Sequence, residues 1–211
     1  MKATLCLFAA ALVFGAVAFA ADTKLPPPQK TGGPALFEAI DHRSSPGQSD
    51  FPAGALSQQD LSTILWAASG HNRDGVKWTV PMAMGRAPYC KIYITTTEGV
   101  QLYNWKNHSL ETVSTDNVHA DLPIQGFAQK APLNLYIVAD GAEIAAMKAP
   151  QGEEFCAVLA GAMSQNIYLA AQGVDVGARV VYSIKREEAM KKLKLAKGDK
   201  ALFVIVMGKH K

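Results

Sequence analysis

Cysteine and histidine are the residues of this sequence whose spacing could define a redox or metal centre. Of the three cysteines, Cys6 lies in an apolar N-terminal run, which leaves Cys90 and Cys156 in the remainder of the chain. These two form no C-x-x-C pair, and the five histidines show no H-x-x-E-H spacing, so the pattern predicts neither a metal site nor a thioredoxin-like site. In an oxidising compartment Cys90 and Cys156 could form a disulfide. The alternative is a pair of small buried apolar side chains, and the sequence leaves both readings open.

Gln165 and Asn166 place two amide side chains in an otherwise apolar segment. Residues 155–163, just before them, are apolar or small on every face, which predicts a central, buried helix over residues 155–172. A buried amide must find hydrogen-bond partners. We therefore expect these amides to bond either across a helix–helix contact between subunits or to a bound polar group.

The pattern of apolar residues defines the elements that must position these side chains. Alternation over residues 90–97 predicts a strand, and the turns that follow predict an antiparallel meander with residues 100–105 and 110–113. Residues 116–130 are predicted to be helical with breaks. Ser57 and Asp60 resemble a capping box at the start of a helix that Gly70 ends. Strands and helices without strict alternation predict an α+β fold, with a mostly antiparallel central sheet flanked by helices and a long buried central helix.

Composition narrows the class of protein. The chain has 211 residues, of which 49% are hydrophobic, and 21 Lys and Arg against 18 Asp and Glu give a net charge of only +3. A disordered chain would be more polar, and a nucleic-acid-binding protein would carry a stronger basic imbalance. The length corresponds to one domain of ordinary size.

The first twenty residues have the pattern of a secretory signal peptide. Lys2 provides a positive start, residues 5–17 are almost unbroken apolar sequence, and Ala18-Phe19-Ala20 forms a small-x-small cleavage pattern. The apolar run is short for a membrane span. The sequence therefore predicts an exported protein, periplasmic or extracellular, with no stable membrane insertion after cleavage. Its parts would be a signal peptide over 1–20, an extended Pro/Gly-rich arm over 21–34 and one domain over 35–211.

Six segments, in order along the mature chain, carry a resemblance to a known family. They are KTGG at 30–33, LFEAI at 36–40 running into Arg43, LWAASGHNRDG at 65–75, GVQLY at 99–103, APLNL at 131–135 and QNIYL at 165–169. Each segment alone is a weak signal, but the ordered set resembles the nitroreductase family of FMN-dependent α+β flavoproteins. It is most similar to the exported SagB/thiazoline-oxidase-like branch.

The resemblance implies a homodimer with the central helix at the subunit interface and FMN between the two chains. Its chemistry would be two-electron transfer through the flavin to or from a small organic substrate, such as a nitro, quinone, enone or peptide-derived compound. In such enzymes the cofactor carries the redox chemistry, and the protein positions and tunes it.

The resemblance also implies where the phosphate end of FMN would bind. Arg43-Ser44-Ser45 matches the family's Arg-x-Ser element, in which an Arg fork and a Ser hydroxyl contact the phosphate or ribityl group. Arg179, after the long helix, stands where basic residues commonly reach the phosphate, and Lys209 follows the last strand. Gln165 is a further candidate for a contact near the flavin.

The family's ring-binding element is altered in this chain. The family usually has Pro-Ser with a downstream Asn and Gln, whereas residues 81–88 place Met82 where Ser is expected and Pro88 where Gln is expected. Arg86 could contact the electron-rich carbonyl end of the flavin instead. The loss of the amides favours an alternative function, a flavin-free nitroreductase-like module that binds a ligand or a partner.

The site expected from the sequence thus consists of Arg43, Ser45, Arg86, Arg179 and Gln165, with no catalytic residue assigned and no metal. No G-x-G-x-x-G fingerprint follows a strand, and soluble NAD(P)H is scarce outside the cytoplasm. We therefore expect the electron donor to be a redox protein, a quinol-linked partner or the oxidised substrate itself.

Overall fold

A computed structural model describes residues 22–210 and shows an α+β fold. Within those residues the strands are β1 (Thr23–Lys24), β2 (His71–Asn72), β3 (Lys77–Trp78), β4 (Cys90–Thr96), β5 (Gly99–Asn104), β6 (Ser109–Ser114), β7 (Leu133–Ala139), β8 (Val176–Val181) and β9 (Lys200–Lys209). The helices are α1 (Leu36–His42), α2 (Gln58–Ser69), α3 (Gly126–Lys130), α4 (Gly141–Met147), α5 (Gly152–Gly173) and α6 (Arg186–Lys192). The predicted signal peptide lies outside the described residues, and in the part described no helix has the length and apolarity to cross a membrane.

Seven of the strands form one sheet in the order β1-β6-β5-β4-β7-β9-β8, and every neighbouring pair is antiparallel. The meander predicted from the alternating pattern is confirmed as β4-β5-β6. Strand β7 is buried at every position because it lies between β4 and β9. Strand β8 forms an edge, so half of its backbone groups face away from β9 and need other partners.

Hydrophobic clusters cover both faces of the sheet, which makes it the middle layer of the domain. On one face α2 and α5 pack against the strands through residues that include Ile64, Leu65, Leu159, Met163 and Ile167. On the other face Leu122, Ala189 and Leu193 pack against alternate residues of β7 and β9. Side chains of a strand point to opposite faces in turn, so the continuous apolar runs of β7 and β9 follow from burial on both sides.

The capping pattern at α2 is confirmed. The Ser57 side chain accepts a hydrogen bond from the Asp60 backbone N–H at 3.1 Å, and the Asp60 carboxylate accepts one from the Ser57 N–H at 3.0 Å. The helix ends at Ser69 before Gly70. This fixes the start of the helix that packs most closely on α5.

Two predictions about helices are wrong in part. Residues 116–125 are not helical, and only α3 forms in that segment. Pro123 disfavours helical backbone at the preceding residue, and it forms an isolated β-bridge with Ile184. Helix α5 is apolar on all sides as predicted, but it is not buried on all sides. Ala157, Val158 and Gly161 are exposed on one face, and Val158 is 70% exposed.

Candidate functional site

Of the residues predicted for the phosphate site, Arg43 and Ser45 contact Tyr168, and Arg179 contacts the residue that follows Ser45. The Arg43 guanidinium lies over the Tyr168 ring, 5.1 Å from its centroid. The Ser45 hydroxyl is 2.9 Å from the Tyr168 hydroxyl. Arg179 donates from Nη1 to the carbonyl oxygen of Pro46 at 2.8 Å, and its guanidinium lies over the Phe127 ring, 5.8 Å from its centroid. We call Arg43, Ser45, Tyr168 and Arg179 the arginine cluster.

Each member of the arginine cluster is placed by a different element. Arg43 is the C-terminal cap of α1, and its backbone N–H bonds the Ala39 carbonyl at 3.0 Å. Tyr168 lies near the end of α5, and its hydroxyl accepts the backbone N–H of Val180 on β8 at 2.8 Å. Because β8 is an edge strand, this bond satisfies an N–H that no neighbouring strand can reach.

The loop that carries Ser45 is held tightly against β8 and β9. A Cβ on Gly177 would lie 2.7 Å from Cγ of Pro52, and one on Gly208 would lie 1.9 Å from the Pro52 carbonyl oxygen. These distances leave room only for glycine. The loop between α1 and α2 is therefore anchored where it passes the two strands, although several of its side chains are exposed.

The arginine cluster carries positive charge that no acid in the described chain balances. Among residues 22–210, neither Arg43 nor Arg179 forms an ion pair with a carboxylate. An arginine fork binds phosphate or carboxylate through parallel charge-assisted hydrogen bonds. The cluster therefore has the chemistry of an anion site.

Lys209, in contrast, has its own acidic partner. Its ammonium donates to Asp60 Oδ2 at 2.8 Å. Burial alone would raise the pKa of Asp60, but hydrogen bonds from Lys209 and Ser57 outweigh burial and lower that pKa. This pair ties the end of β9 to the start of α2, so Lys209 serves the fold rather than the arginine cluster.

Arg86 lies apart from the arginine cluster. Its Nη2 donates to Glu143 Oε2 of α4 at 2.5 Å, and α4 packs against the start of α5 at Gly152. Sixteen residues of α5, about 24 Å at 1.5 Å per residue, separate Gly152 from Tyr168. Within one chain Arg86 is therefore at the opposite end of α5, with its charge neutralised, although its Nε is buried without a partner in the described chain.

Gln165 is exposed, which corrects the expectation that both amides of this segment are buried. Only Asn166 meets that expectation: its side-chain amide donates to the carbonyls of Ala67 at 3.0 Å and Thr79 at 3.1 Å. Asn166 thus fastens α5 to α2 within one chain. Gln165 points outward on the same face of α5 as Val158 and Gly161.

Cys90 and Cys156 are buried, free and close together. Each thiol donates to a backbone carbonyl at 3.6 Å, Cys90 to Cys156 and Cys156 to Tyr89. The interaction between the two neighbouring thiol side chains raises the pKa of Cys90 and lowers that of Cys156. The structure therefore has them as packed thiols in the core, and no group of three or more His, Cys, Asp or Glu in residues 22–210 is arranged to hold a metal.

Tyr168 is the member of the arginine cluster that residue-by-residue reasoning missed. It occurred only inside the QNIYL segment of the resemblance. A usable signal exists in the sequence, since a tyrosine in an apolar helix needs a partner for its hydroxyl. A cavity of about 370 Å³ also opens beside α5, between the N-terminal arm, α1 and α2. Lys30, whose ammonium is 5.6 Å from the Trp66 ring centroid, contributes to its wall.

Similar solved structures define the fold class of this chain. A crystal structure of a nitroreductase from Ralstonia eutropha JMP134 superposes with a TM-score of 0.82 at 28% identity, covering 91% of this chain and 90% of that chain. A chain of the E. coli microcin synthetase McbBCD complex has the same fold, with a TM-score of 0.65 at 17% identity over 97% of this chain and 85% of that chain.

Sequence comparison then gives the family. A Methanocaldococcus jannaschii protein whose name places it among the nitroreductases is 27% identical over 156 residues, or 69% of this chain and 78% of that protein. The profile of the Nitroreductase family matches residues 47–209. The chain therefore belongs to the nitroreductase family and is an oxidoreductase with that fold, as the resemblance predicted.

Proposed function

We propose that this protein is an exported, FMN-dependent oxidoreductase that works as a homodimer on a small organic substrate. The observation that carries the proposal is the arginine cluster. In it Arg43 and Ser45 contact Tyr168, Arg179 contacts the adjoining Pro46, and neither guanidinium has an acidic partner among residues 22–210. When bound, the flavin supplies two-electron chemistry. The protein's own residues must then hold the phosphate, orient the ring and keep water from the substrate.

The phosphate end of FMN fits the residues that are present. Arg43 and Arg179 offer charge-assisted donors, and Ser45 offers an exposed hydroxyl. A phosphate monoester carries nearly two negative charges at neutral pH, which matches two cations. Arg179 already uses one nitrogen on the Pro46 carbonyl, so its remaining donors would serve the ligand.

The ring end fits less well. Residues 83–85 form a single 3₁₀ turn with Met84 in the left-handed region at a φ of 56°, and Glu143 neutralises Arg86. The amides that usually bond the flavin edge are absent from residues 81–88. In the proposed dimer FMN lies between the chains, so the segment around Arg86 would come from the protomer opposite the arginine cluster.

The exposed face of α5 supports the dimer. Val158 is 70% exposed, and Phe37 and Leu36 of α1 are 83% and 61% exposed. Large exposed apolar side chains of this kind mark interaction surfaces. Val158→Glu should convert the dimer to monomer in light scattering, whereas Val76→Glu, at a valine 71% exposed on the β2–β3 turn, should leave it intact. A wild-type chain that stays monomeric at micromolar concentration contradicts the dimer.

Export and the electron donor rest on the N-terminal pattern, which lies outside the described residues. We propose that the donor is a redox protein, a quinol-linked partner or the oxidised substrate, and not soluble NAD(P)H. Stopped-flow mixing with NADH or NADPH should give no rapid, saturable reduction of bound flavin. Rapid reduction at physiological concentrations would reject this donor assignment, and fractionation of the producing cells tests export separately.

A second function, flavin-free ligand binding or protein interaction, is favoured by the Arg86–Glu143 pair. An arginine that is paired with a carboxylate of the same chain stabilises the fold and is not free to bind the flavin. The cavity of about 370 Å³ beside Trp66 would then be the site for a small molecule, since pockets of this size suit small ligands.

One experiment separates the two functions. The chain from Ala21 onward is purified, and any compound released on denaturation is identified by mass. FMN is then titrated into folded protein that carries no flavin, and the fluorescence of FMN is followed. We expect one FMN to bind for each site of the dimer. If FMN neither co-purifies nor is quenched on titration into folded protein, the enzyme proposal fails and flavin-free binding replaces it.

A further inference from the structure

We infer that Tyr168 is a positioning residue of the FMN phosphate subsite, which orients the Ser45 hydroxyl as a donor and holds the Arg43 guanidinium in place. The inference rests on the proposed function and adds a residue and its role to it. The Tyr168 side chain makes three contacts that define this role: its hydroxyl bonds Ser45 and the backbone of the edge strand β8, and its ring lies against Arg43.

The bond from Val180 to the Tyr168 hydroxyl favours Tyr168 as the donor toward Ser45. The Val180 N–H is a donor only, so the Tyr168 oxygen accepts that bond at 2.8 Å. A phenolic hydroxyl has one proton of its own, and the Ser45 oxygen at 2.9 Å is the partner that the described chain offers for it. With its oxygen accepting from Tyr168, Ser45 can direct its own proton outward to a bound anion.

The ring of Tyr168 contacts Arg43. The centre of the Arg43 guanidinium lies 5.1 Å from the ring centroid, within the range of a cation–π contact. Because Arg43 has no carboxylate partner among residues 22–210, this ring restrains the guanidinium without neutralising it. Its donors therefore remain available to phosphate.

The edge strand β8 carries both the backbone N–H that bonds Tyr168 and the second arginine, Arg179. Val180, which bonds Tyr168, directly follows Arg179, which bonds the Pro46 carbonyl. Ser45 directly precedes Pro46. Tyr168 and Arg179 thus hold adjacent residues of the loop to adjacent residues of β8. A change at Tyr168 should alter the phosphate subsite without touching the ring end of the flavin.

Tyr168→Phe tests this role because it removes the hydroxyl and keeps the ring. We measure the dissociation constants of FMN and of riboflavin, which lacks the phosphate, for wild type and for Tyr168→Phe. The control is Tyr182→Phe, at a tyrosine that is 70% exposed. Loss of one net hydrogen bond corresponds to roughly a 2- to 12-fold weaker affinity. We expect that loss for FMN, unchanged affinity for riboflavin, and no effect of Tyr182→Phe.

A double-mutant cycle with Ser45→Ala shows whether Tyr168 acts through Ser45. We expect Tyr168→Phe to have little further effect on FMN affinity once Ser45 is alanine. Equal loss of FMN and riboflavin affinity, an unchanged FMN affinity, or a full additive loss in the Ser45→Ala background would each overturn the inference while the proposed function stands. A folded wild-type protein that binds neither FMN nor riboflavin would overturn both.

Discussion

The arginine cluster and the ion network around Lys91 differ in how charge is balanced. The Lys91 ammonium lies 3.1 and 2.9 Å from the two oxygens of Asp199 and 3.2 Å from Asp140. The Asp199 side chain is 1% exposed and also accepts the backbone N–H groups of Gly141 and Ala196. Every donor and acceptor of this network has a partner in the chain, whereas the arginine cluster has two cations and no acid.

A polar group whose charge is balanced within the chain stabilises the fold, whereas a group whose charge is unbalanced is available to bind a ligand. Burial alone would lower the pKa of Lys91, but Asp199 and Asp140 outweigh burial and raise that pKa. Replacing Asp199 leaves Lys91 with Asp140 as its carboxylate partner, but it weakens the charge-assisted hydrogen bonds that Asp199 accepts from Lys91, Gly141 and Ala196, which costs stability. Removing a cation from the arginine cluster leaves no buried acid behind, so its effect should fall on anion binding.

The largest expected effect is on stability and comes from Asp199→Asn. A hydrogen bond to a charged group contributes about 1.5–3 kcal/mol, and Asp199 accepts several of them, so the free energy of unfolding in urea should fall by at least that amount. FMN affinity of the protein that remains folded should not change. The matched control is Asp121→Asn, because Asp121 and its partner Lys192 have side chains 49% and 34% exposed and such pairs contribute about 0–1 kcal/mol. Equal losses in the two variants would reject the distinction.

The next effect is on binding and comes from Arg43→Ala. A hydrogen bond to a charged group contributes about 1.5–3 kcal/mol, which corresponds to roughly a 10- to 150-fold weaker FMN affinity, measured by fluorescence titration. Stability in urea should change little. Lys197→Ala, at an exposed lysine, controls for general charge. An Arg43→Ala protein with wild-type FMN affinity would show that the phosphate binds elsewhere.

A smaller effect on stability is expected from protonation of His119, which is far more buried than the arginine cluster. It is 2% exposed, its Nε2 bonds the Ala131 carbonyl at 2.7 Å, and its Nδ1 lies 3.0 Å from the Thr95 hydroxyl. Burial lowers its pKa and outweighs the bonds to carbonyl groups that would raise it. The folded pKa is thus below the unfolded value near 6.5, so the stability that His119 contributes is present above that pH and is lost as the pH falls.

The free energy of unfolding should therefore decrease from about pH 7 to pH 5, by about 1.4 kcal/mol for each unit of pKa shift. His119→Gln should reduce this slope to the part that comes from His108, whose pKa burial also lowers. His210→Gln, at an exposed histidine near the C-terminus, should leave the slope unchanged. The FMN affinity of the folded protein should be the same in wild type, His119→Gln and His210→Gln. A wild-type slope that persists in His119→Gln would assign the pH dependence to other groups.

The sequence predicted the parts of this molecule that depend on local pattern. The β4–β6 meander follows from alternation, and the start of α2 follows from Ser57 and Asp60. Arg43, Ser45 and Arg179 were predicted through the family resemblance. The structure places Arg43 and Ser45 against Tyr168 and Arg179 against Pro46 of the same loop. Whether they bind FMN stays a prediction.

The rest depends on contacts between distant residues. Glu143 is 57 residues from Arg86, and nothing in the local pattern shows that this acid reaches that arginine. Gln165 and Val158 were expected to be buried because their helix is apolar throughout. An apolar face that packs in the core and one that a second chain would cover have the same composition, so only the folded chain separates them.

The smallest expected effect comes from Arg86→Ala, which tests the ring end of the proposed site. The pair with Glu143 is partly exposed, with side chains 27% and 35% accessible, so its loss should change the free energy of unfolding by about 0–1 kcal/mol. Since Glu143 already neutralises Arg86, FMN affinity should stay near that of wild type. Glu143→Gln is the informative partner variant, because it keeps the shape of the side chain and releases the charge of Arg86. If the segment around Arg86 of one protomer faces the flavin bound by the other, this release should raise the reduction potential of bound FMN, because a nearby cation stabilises the more negative reduced flavin. Potentials that are equal in wild type, Arg86→Ala and Glu143→Gln would place Arg86 away from the ring and remove it from the predicted cofactor site.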